Sequence, residues 1–186
     1  CPFPSAVHLD QRWPRVQRFD VEPRHRLVAC GHLGQFRATH HILDPVEPVQ
    51  ADRIELAEQD FRRILQLEGE NAMALNALGY TLTDRTDRHG EAYRLIRRAY
   101  ELEPESPAIL DSMGWVYYRQ GQPEKALPYL ERALEGEESS EIAAHLIEVL
   151  WVLNRRDEAR DLLTEYQSIF PEDPFLTETG ARLGID

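Results

Sequence analysis

The stretch Ala72-Met73-Ala74-Leu75-Asn76-Ala77-Leu78-Gly79-Tyr80-Thr81-Leu82 returns as Pro107-Ala108-Ile109-Leu110-Asp111-Ser112-Met113-Gly114-Trp115-Val116-Tyr117, with its apolar positions and its glycine in the same phase. The two glycines are 35 residues apart. A second amphipathic run follows each copy, Glu91 to Ala99 and then Glu124 to Ala133, with small and large apolar residues alternating at helical spacing. A third copy starts near Ser140, carrying Ala143, Leu146, Ile147 and Leu150 on its first run and Ala159, Leu163 and Tyr166 on its second. Self-similarity with a period of this length predicts a stack of helix hairpins, because one hairpin cannot bury its apolar face alone.

The recurring glycine is the physical key to the pattern. Inside a helix it costs about 1 kcal/mol relative to Ala. Its return at a fixed phase makes sense if Gly79 and Gly114 face Ala92 and Ala126 and let two helix axes approach closely. Ile147 stands at the corresponding place in the third copy and is expected to push that pair of helices apart. Turns are marked by Arg119-Gln120-Gly121-Gln122-Pro123 and by the longer Asp84 to Gly90. Pro104 ends the first copy and Pro171 the third, and the polar segment Phe175 to Leu183 suits a solvating end helix.

Upstream the character changes. Residues 1–50 hold six of the twelve prolines, five of the seven histidines and both cysteines, Cys1 and Cys30, and show no sustained period. Of the formal net charge of −12, essentially all the acidity lies downstream. Such an acidic balance, with no basic patch, disfavours nucleic acid and anionic lipid surfaces as partners. No apolar run is long enough for a membrane span, so direct membrane insertion is not expected. The chain begins at Cys1 and reaches its first methionine at Met73, which reads as a processed or cropped piece.

The helical part resembles tetratricopeptide (TPR) repeats. In the first copy the matching positions are Leu75, Leu78, Gly79, Leu82, Ala92, Ile96, Ala99 and Pro104. The second copy supplies Leu110, Met113, Gly114, Tyr117, Ala126, Leu130 and Ala133, with Glu138 where proline is usual, and the third departs at Ile147 and Tyr166. Ala57, Phe61 and Ile64 look like the second helix of an earlier repeat. The resemblance implies an all-α fold, a right-handed superhelix of antiparallel hairpins. It places a half repeat at 54–69, repeats at 72–105, 107–139 and 140–173, and an end helix at 174–184, within an array spanning 52–186 after an irregular leader, 1–51.

The family's concave surface is lined by first helices, and its groove positions fall here on Asn76, Tyr80, Thr83, Asp111, Trp115, Tyr118, Ala144, Glu148 and Trp151. The resemblance therefore implies a non-catalytic scaffold that takes a protein or peptide ligand in an aromatic, mildly acidic groove, without metal or cofactor. Basic clamp residues for a terminal carboxylate are missing, since only Asn76 fits, so apolar and basic segments are the expected ligands. The competing expectation is that Trp115, Tyr118 and Trp151 pack between hairpins as core.

The runs Leu75 to Thr86 and Ile109 to Arg119 also resemble the C-terminal repeats of large bacterial TPR lipoproteins, some of which are adaptors for periplasmic processing proteases. That narrower likeness implies a periplasmic, outer-membrane-associated protein; without it a cytoplasmic one is equally compatible. Two rival readings stand beside the scaffold. The leader offers His25, Cys30, His32, His40 and His41, a set from which a small metal-binding or catalytic unit positioned by the repeats could be built, although adjacent His40 and His41 suit one tetrahedral ion poorly. Alternatively the leader is not a native segment, and its histidines mean nothing. Self-assembly through uncapped edge hairpins is the third reading. His89 and His145 are expected to be structural or solvated, and Glu135, Glu137, Glu138 and Glu141 to form a solvated junction.

Overall fold

The computed structural model describes residues 48–185. The leader histidines and cysteines, and the question of whether residues 1–47 are ordered, lie outside the described residues. Among the described residues there are eight α-helices and no strand: α1 (Pro48–Leu67), α2 (Ala72–Arg85), α3 (His89–Leu102), α4 (Pro107–Arg119), α5 (Pro123–Gly136), α6 (Ser140–Val152), α7 (Arg156–Ile169) and α8 (Pro174–Leu183). Helix α1 starts at Pro48, upstream of the change in composition.

Local chemistry sets the helix ends. Pro107, Pro123 and Pro174 open α4, α5 and α8, where the missing N–H costs nothing. The Asn71 side chain caps α2 by accepting from the Ala74 N–H at 2.9 Å, and Asp173 caps α8 through the Phe175 N–H at 2.9 Å. The α4–α5 and α6–α7 turns are built alike. Gly121 and Asn154 occupy the left-handed region at φ 72° and 62°. Beyond them, Gln122 N–H donates to Tyr117 C=O and Arg155 N–H to Leu150 C=O, each at 2.9 Å, so both helices end in the same way. In the longer α2–α3 turn the Thr86 hydroxyl donates to Leu82 C=O at 2.7 Å instead.

The helices pair in sequence as hairpins α2–α3, α4–α5 and α6–α7, with α1 on α2 and α8 on α6. Leu78, Leu82, Ile96, Leu130 and Ile147 are fully buried between them. A Cβ at Gly79 would lie 2.4 Å from Ile96 Cγ1 and 3.1 Å from the Ala92 carbonyl oxygen. At Gly114 it would lie 2.5 Å from Leu130 Cγ and 3.2 Å from the Ala126 carbonyl oxygen. Both hairpins thus use the glycine for close approach to the alanine-bearing turn of the second helix. With Ile147 in that place, α6 and α7 meet less closely than the other two pairs. Helix α8 is more than a polar end: Leu176 is fully buried, and Thr179 and Gly180 are buried with it.

Surface ion pairs tie the first elements together. Arg88 grips Glu58 of α1 with both guanidinium nitrogens, at 2.8 and 3.0 Å, and also reaches Glu91, while Arg62 bridges Glu58 and Glu91. Arg98 of α3 meets Glu70 in the α1–α2 turn.

Two glycine substitutions separate propensity from packing. Gly114→Ala is expected to destabilise the chain by about 1–2 kcal/mol, because overpacking against Leu130 outweighs the helix-propensity gain. Gly90→Ala, where an added Cβ meets nothing within 4 Å, is expected to stabilise by about 0.5–1 kcal/mol. Urea unfolding of both variants checks the pair; equal effects of one sign would contradict close packing at Gly114.

Candidate functional site

The first helices α2, α4 and α6, with α8 behind them, bring most of the sequence-chosen residues into one network. Trp115 stacks on His145, with ring centroids 4.0 Å apart and planes 17° apart, and on Tyr118 at 5.1 Å. Arg119 holds its guanidinium 5.8 Å from the Trp115 centroid. His145 Nδ1 pairs with Asp111 Oδ1 at 2.8 Å, and both side chains are buried. Tyr80 donates to Glu141 Oε1 at 2.6 Å, a strap from α2 to α6 that passes over α4. Glu148, buried on α6, accepts a bidentate pair of bonds from Arg182 of α8, one of them 2.8 Å long, and Arg182 also reaches Thr179.

The electrostatics follow from this burial. Desolvation opposes a charged His145 ring, but the adjacent Asp111, with Glu141 and Glu148 nearby, more than offsets it, so the imidazolium is pushed up to about 9. A charged ring stacked on Trp115 also gains from the negative face of the indole. Burial raises the Glu141 carboxyl, against the opposing charge of His145 and the Tyr80 hydrogen bond. Burial, with Glu148's charge behind it, pushes Tyr118 up to about 12.

Several expectations are corrected by this geometry. Trp115 is 1% exposed and Thr83 fully buried, the latter donating its hydroxyl to Gly79 C=O at 2.9 Å, so neither presents a surface to a ligand. Trp115 is the floor of the face. Asp111 and Glu148 are likewise buried. The acidity expected of the groove is compensated from within: Asp111 by His145, Glu148 by Arg182, and Asp84 by Arg85 at 2.8 Å. Glu141 is no solvated junction residue, since burial raises its carboxyl and Tyr80 bonds to it; of the two readings held open for His145, the structural one holds. Asn76, Tyr80, Tyr118 and Trp151 remain half-buried. Trp151 lies under Arg156 and Arg160 of α7, at 4.6 and 5.5 Å. Asn76 donates weakly to Ala108 C=O at 3.5 Å, and its buried Oδ1 has no partner.

From the sequence, neither His145 nor Glu141 was placed at the site and Arg182 was not named. A usable signal existed for two of them: Asp111 with His145, on α4 and α6, and Glu148 with Arg182, on α6 and α8, are both opposite charges one repeat, 34 residues, apart. Among the described residues no group of three or more His, Cys, Asp or Glu could hold a metal ion, and no helix is long and apolar enough to cross a membrane.

A pH prediction follows from the raised imidazolium. A free histidine ionises near about 6.5, so the stabilisation from holding the ring charged is complete below that pH and is lost as the pH climbs through about 9. The thermal midpoint should fall across this window. His145→Gln should start lower at pH 6 and stay flat, and a wild-type midpoint that is constant over the window would contradict a charged ring.

Residues 70–139 and 117–175 match the Tetratricopeptide repeat family. A TPR repeat-containing protein of Pseudomonas aeruginosa is 57% identical over 89 residues, which is 48% of this chain and 15% of that protein. The chain therefore spans a small part of that relative's length. The structure superposes on a thermophilic TPR protein of Thermus thermophilus with a TM-score of 0.63 at 20% identity, covering 74% of this chain and 76% of the other. It superposes on YrrB, a TPR protein with an unusual peptide-binding site, with a TM-score of 0.52 at 22% identity, covering 74% and 73%. With its glycine-spaced hairpins and two overlapping matches that together take in more than half its length, this chain belongs to the tetratricopeptide repeat family.

Proposed function

We propose that the chain is a non-catalytic interaction module that holds a partner peptide or protein segment on the face formed by α2, α4 and α6. The observation that carries this reading is the buried Asp111–His145 pair and the half-buried Glu148–Arg182 pair, laid along one face of a helical stack. Buried ion pairs are poor sources of stability, and apolar residues of similar volume would hold first helices together at least as well. Their cost is reasonable where a surface must be rigid and polar at defined points. Here they fix Trp115, and through it the half-buried ring of Tyr118.

Ligand contact would then fall on the side chains that keep some exposure: Asn76, Tyr80, Tyr118 and Trp151. Trp115, Thr83, Asp111 and Glu148 would act by positioning them. Because the acids of the face are already paired, the ligand this reading favours is an apolar or mixed segment that supplies hydrogen bonds, rather than a strongly basic one. Asn76 Oδ1, which lacks a donor, is one point where a ligand N–H would be accommodated once Asn76 turns outward. The narrower role of a periplasmic adaptor rests on the likeness of residues 75–86 and 109–119 to bacterial TPR lipoproteins, and belongs to this proposal.

Partner capture from a native bacterial extract by the 186-residue chain tests it, set against Asn76→Ala and Tyr118→Ala variants with helicity measured on all three. A partner retained by the wild type and lost from both folded variants is the expected outcome. Equal retention by all three would refute this face.

A further inference from the structure

The three hairpins allow one junction of the array to be compared with the next. Second helices α3, α5 and α7 follow one another along the stack, and side chains fill the space between successive ones. Counted from the matched alanines Ala92 and Ala126, and Ala126 and Ala159, Tyr100 of α3 corresponds to Leu134 of α5. In the same way Tyr129 of α5 corresponds to Leu162 of α7.

At the α3–α5 junction the space is full. Tyr100 and Tyr129 meet edge to face with centroids 5.7 Å apart, and Arg132 extends over them to Tyr100 Oη at 3.4 Å and to Glu105 at 3.0 Å. Arg97, on the same face of α3 as Tyr100, pairs with Glu101 at 3.2 Å.

At the α5–α7 junction the fillers are gone. An open cleft of about 450 Å³ lies there, with Leu134, Leu146, Leu162 and Tyr166 as its apolar lining and Glu131, Glu135 and Glu165 at its rim. Both rings have become leucine. Both cations have become acids, since Glu131 stands where Arg97 stood and Glu165 where Arg132 stood. Glu131 and Glu135 are now like charges one turn apart on α5, an arrangement that is unfavourable in an isolated helix. Relief from within is slight: Arg155 comes no closer to Glu131 than 3.6 Å, and Glu158 already holds that guanidinium at 2.6 Å.

We propose that the α5–α7 cleft is a second docking site, distinct from the first-helix face, for a helical segment of a partner protein that carries an aromatic residue and an arginine or lysine one turn apart. The upstream junction is the template for this occupant. There the space is filled by Tyr129 and Arg132, three residues apart on one helix, so a partner helix supplying the same pair restores the ring to the leucine floor and the cation to the carboxylate rim. The charge complementarity is specific to this junction, because the upstream rim carries cations of its own.

The test uses the 186-residue chain and a labelled, alanine-based helical peptide bearing tyrosine and arginine three residues apart in two successive turns. The control peptide has glutamate for arginine. Fluorescence anisotropy is expected to show binding of the first peptide alone, weakened by salt. A Leu134→Tyr, Leu162→Tyr, Glu165→Arg variant copies the upstream filling; it is expected to melt higher than wild type and to bind the peptide about tenfold more weakly or worse. Tyr118→Ala, on the other face, should bind it as wild type does, so failure here and failure of the first-helix reading are distinguishable. No binding to the wild type, or undiminished binding to the filled variant, overturns the proposal. So does concentration-dependent dimerisation abolished by the filled variant, which would give the cleft to a second copy of this chain.

Discussion

Close approach at Gly79 and Gly114 is the constraint on which the rest of the array depends. A helix hairpin of this length buries too little surface to stand alone, so each must present a flat, regular side to its neighbour. Removing the Cβ where the axes are closest brings the Ala92 and Ala126 turns against the first helices and leaves Leu78, Leu82, Ile96 and Leu130 to fill the flanks. With the hairpin spacing set, first helices fall side by side along one face. Residues a repeat apart can then touch, as Asp111 and His145 do.

That face shows how a repeat protein can hold charge in its interior. Four acids and four bases meet there, yet each is answered by a partner on another residue of the stack: Asp84 by Arg85 and Arg119, Asp111 by His145, Glu148 by Arg182, and Glu141 by the hydroxyl of Tyr80. Desolvation by itself would neutralise a buried histidine; the charges of three nearby carboxylates outweigh it and keep the ring protonated. The Tyr80–Glu141 strap is the element least expected of a linear stack, since it joins helices that are not adjacent. It adds a direct α2–α6 link to the nearest-neighbour contacts of α2 with α4 and of α4 with α6.

How much of this was legible in the sequence depended on the range of the interaction. Gly79, Gly114, Ala92 and Ala126 were readable because their meaning is local and repeats. The looser packing at Ile147 followed from the same rule. The residues chosen from the sequence fall on the first helices α2, α4 and α6, but whether a side chain faces a ligand or a neighbour is decided across repeats. For Trp115 both ligand contact and packing between hairpins were open, and it packs, because His145, a residue read alone as structural or solvated, lies flat against it. Glu141 was grouped with Glu135, Glu137 and Glu138 by proximity in sequence, whereas its partner is Tyr80 at a separation of 61 residues. Charge composition misled for the same reason: counting acids shows how many there are, not which of them are already paired.

The third hairpin departs from the first two at Ile147 and Tyr166, positions where the others have glycine and alanine. Taken singly these departures look like relaxed repeats near an array's end. Taken together with Leu134, Leu162, Glu131 and Glu165 they are coordinated, since large residues move into the hairpin while rings and cations leave the junction outside it. Tyr166, stacked on Phe170 at 6.2 Å, lines one side of the new cleft beside its leucines. A repeat that had merely drifted would be expected to lose its packing at scattered points. The core stays closed, with Ile147, Ala159 and Leu163 buried, while the changes at Leu134, Glu131, Leu162 and Glu165 on α5 and α7 fall together on one surface, the pattern expected when the surface itself is what differs in purpose.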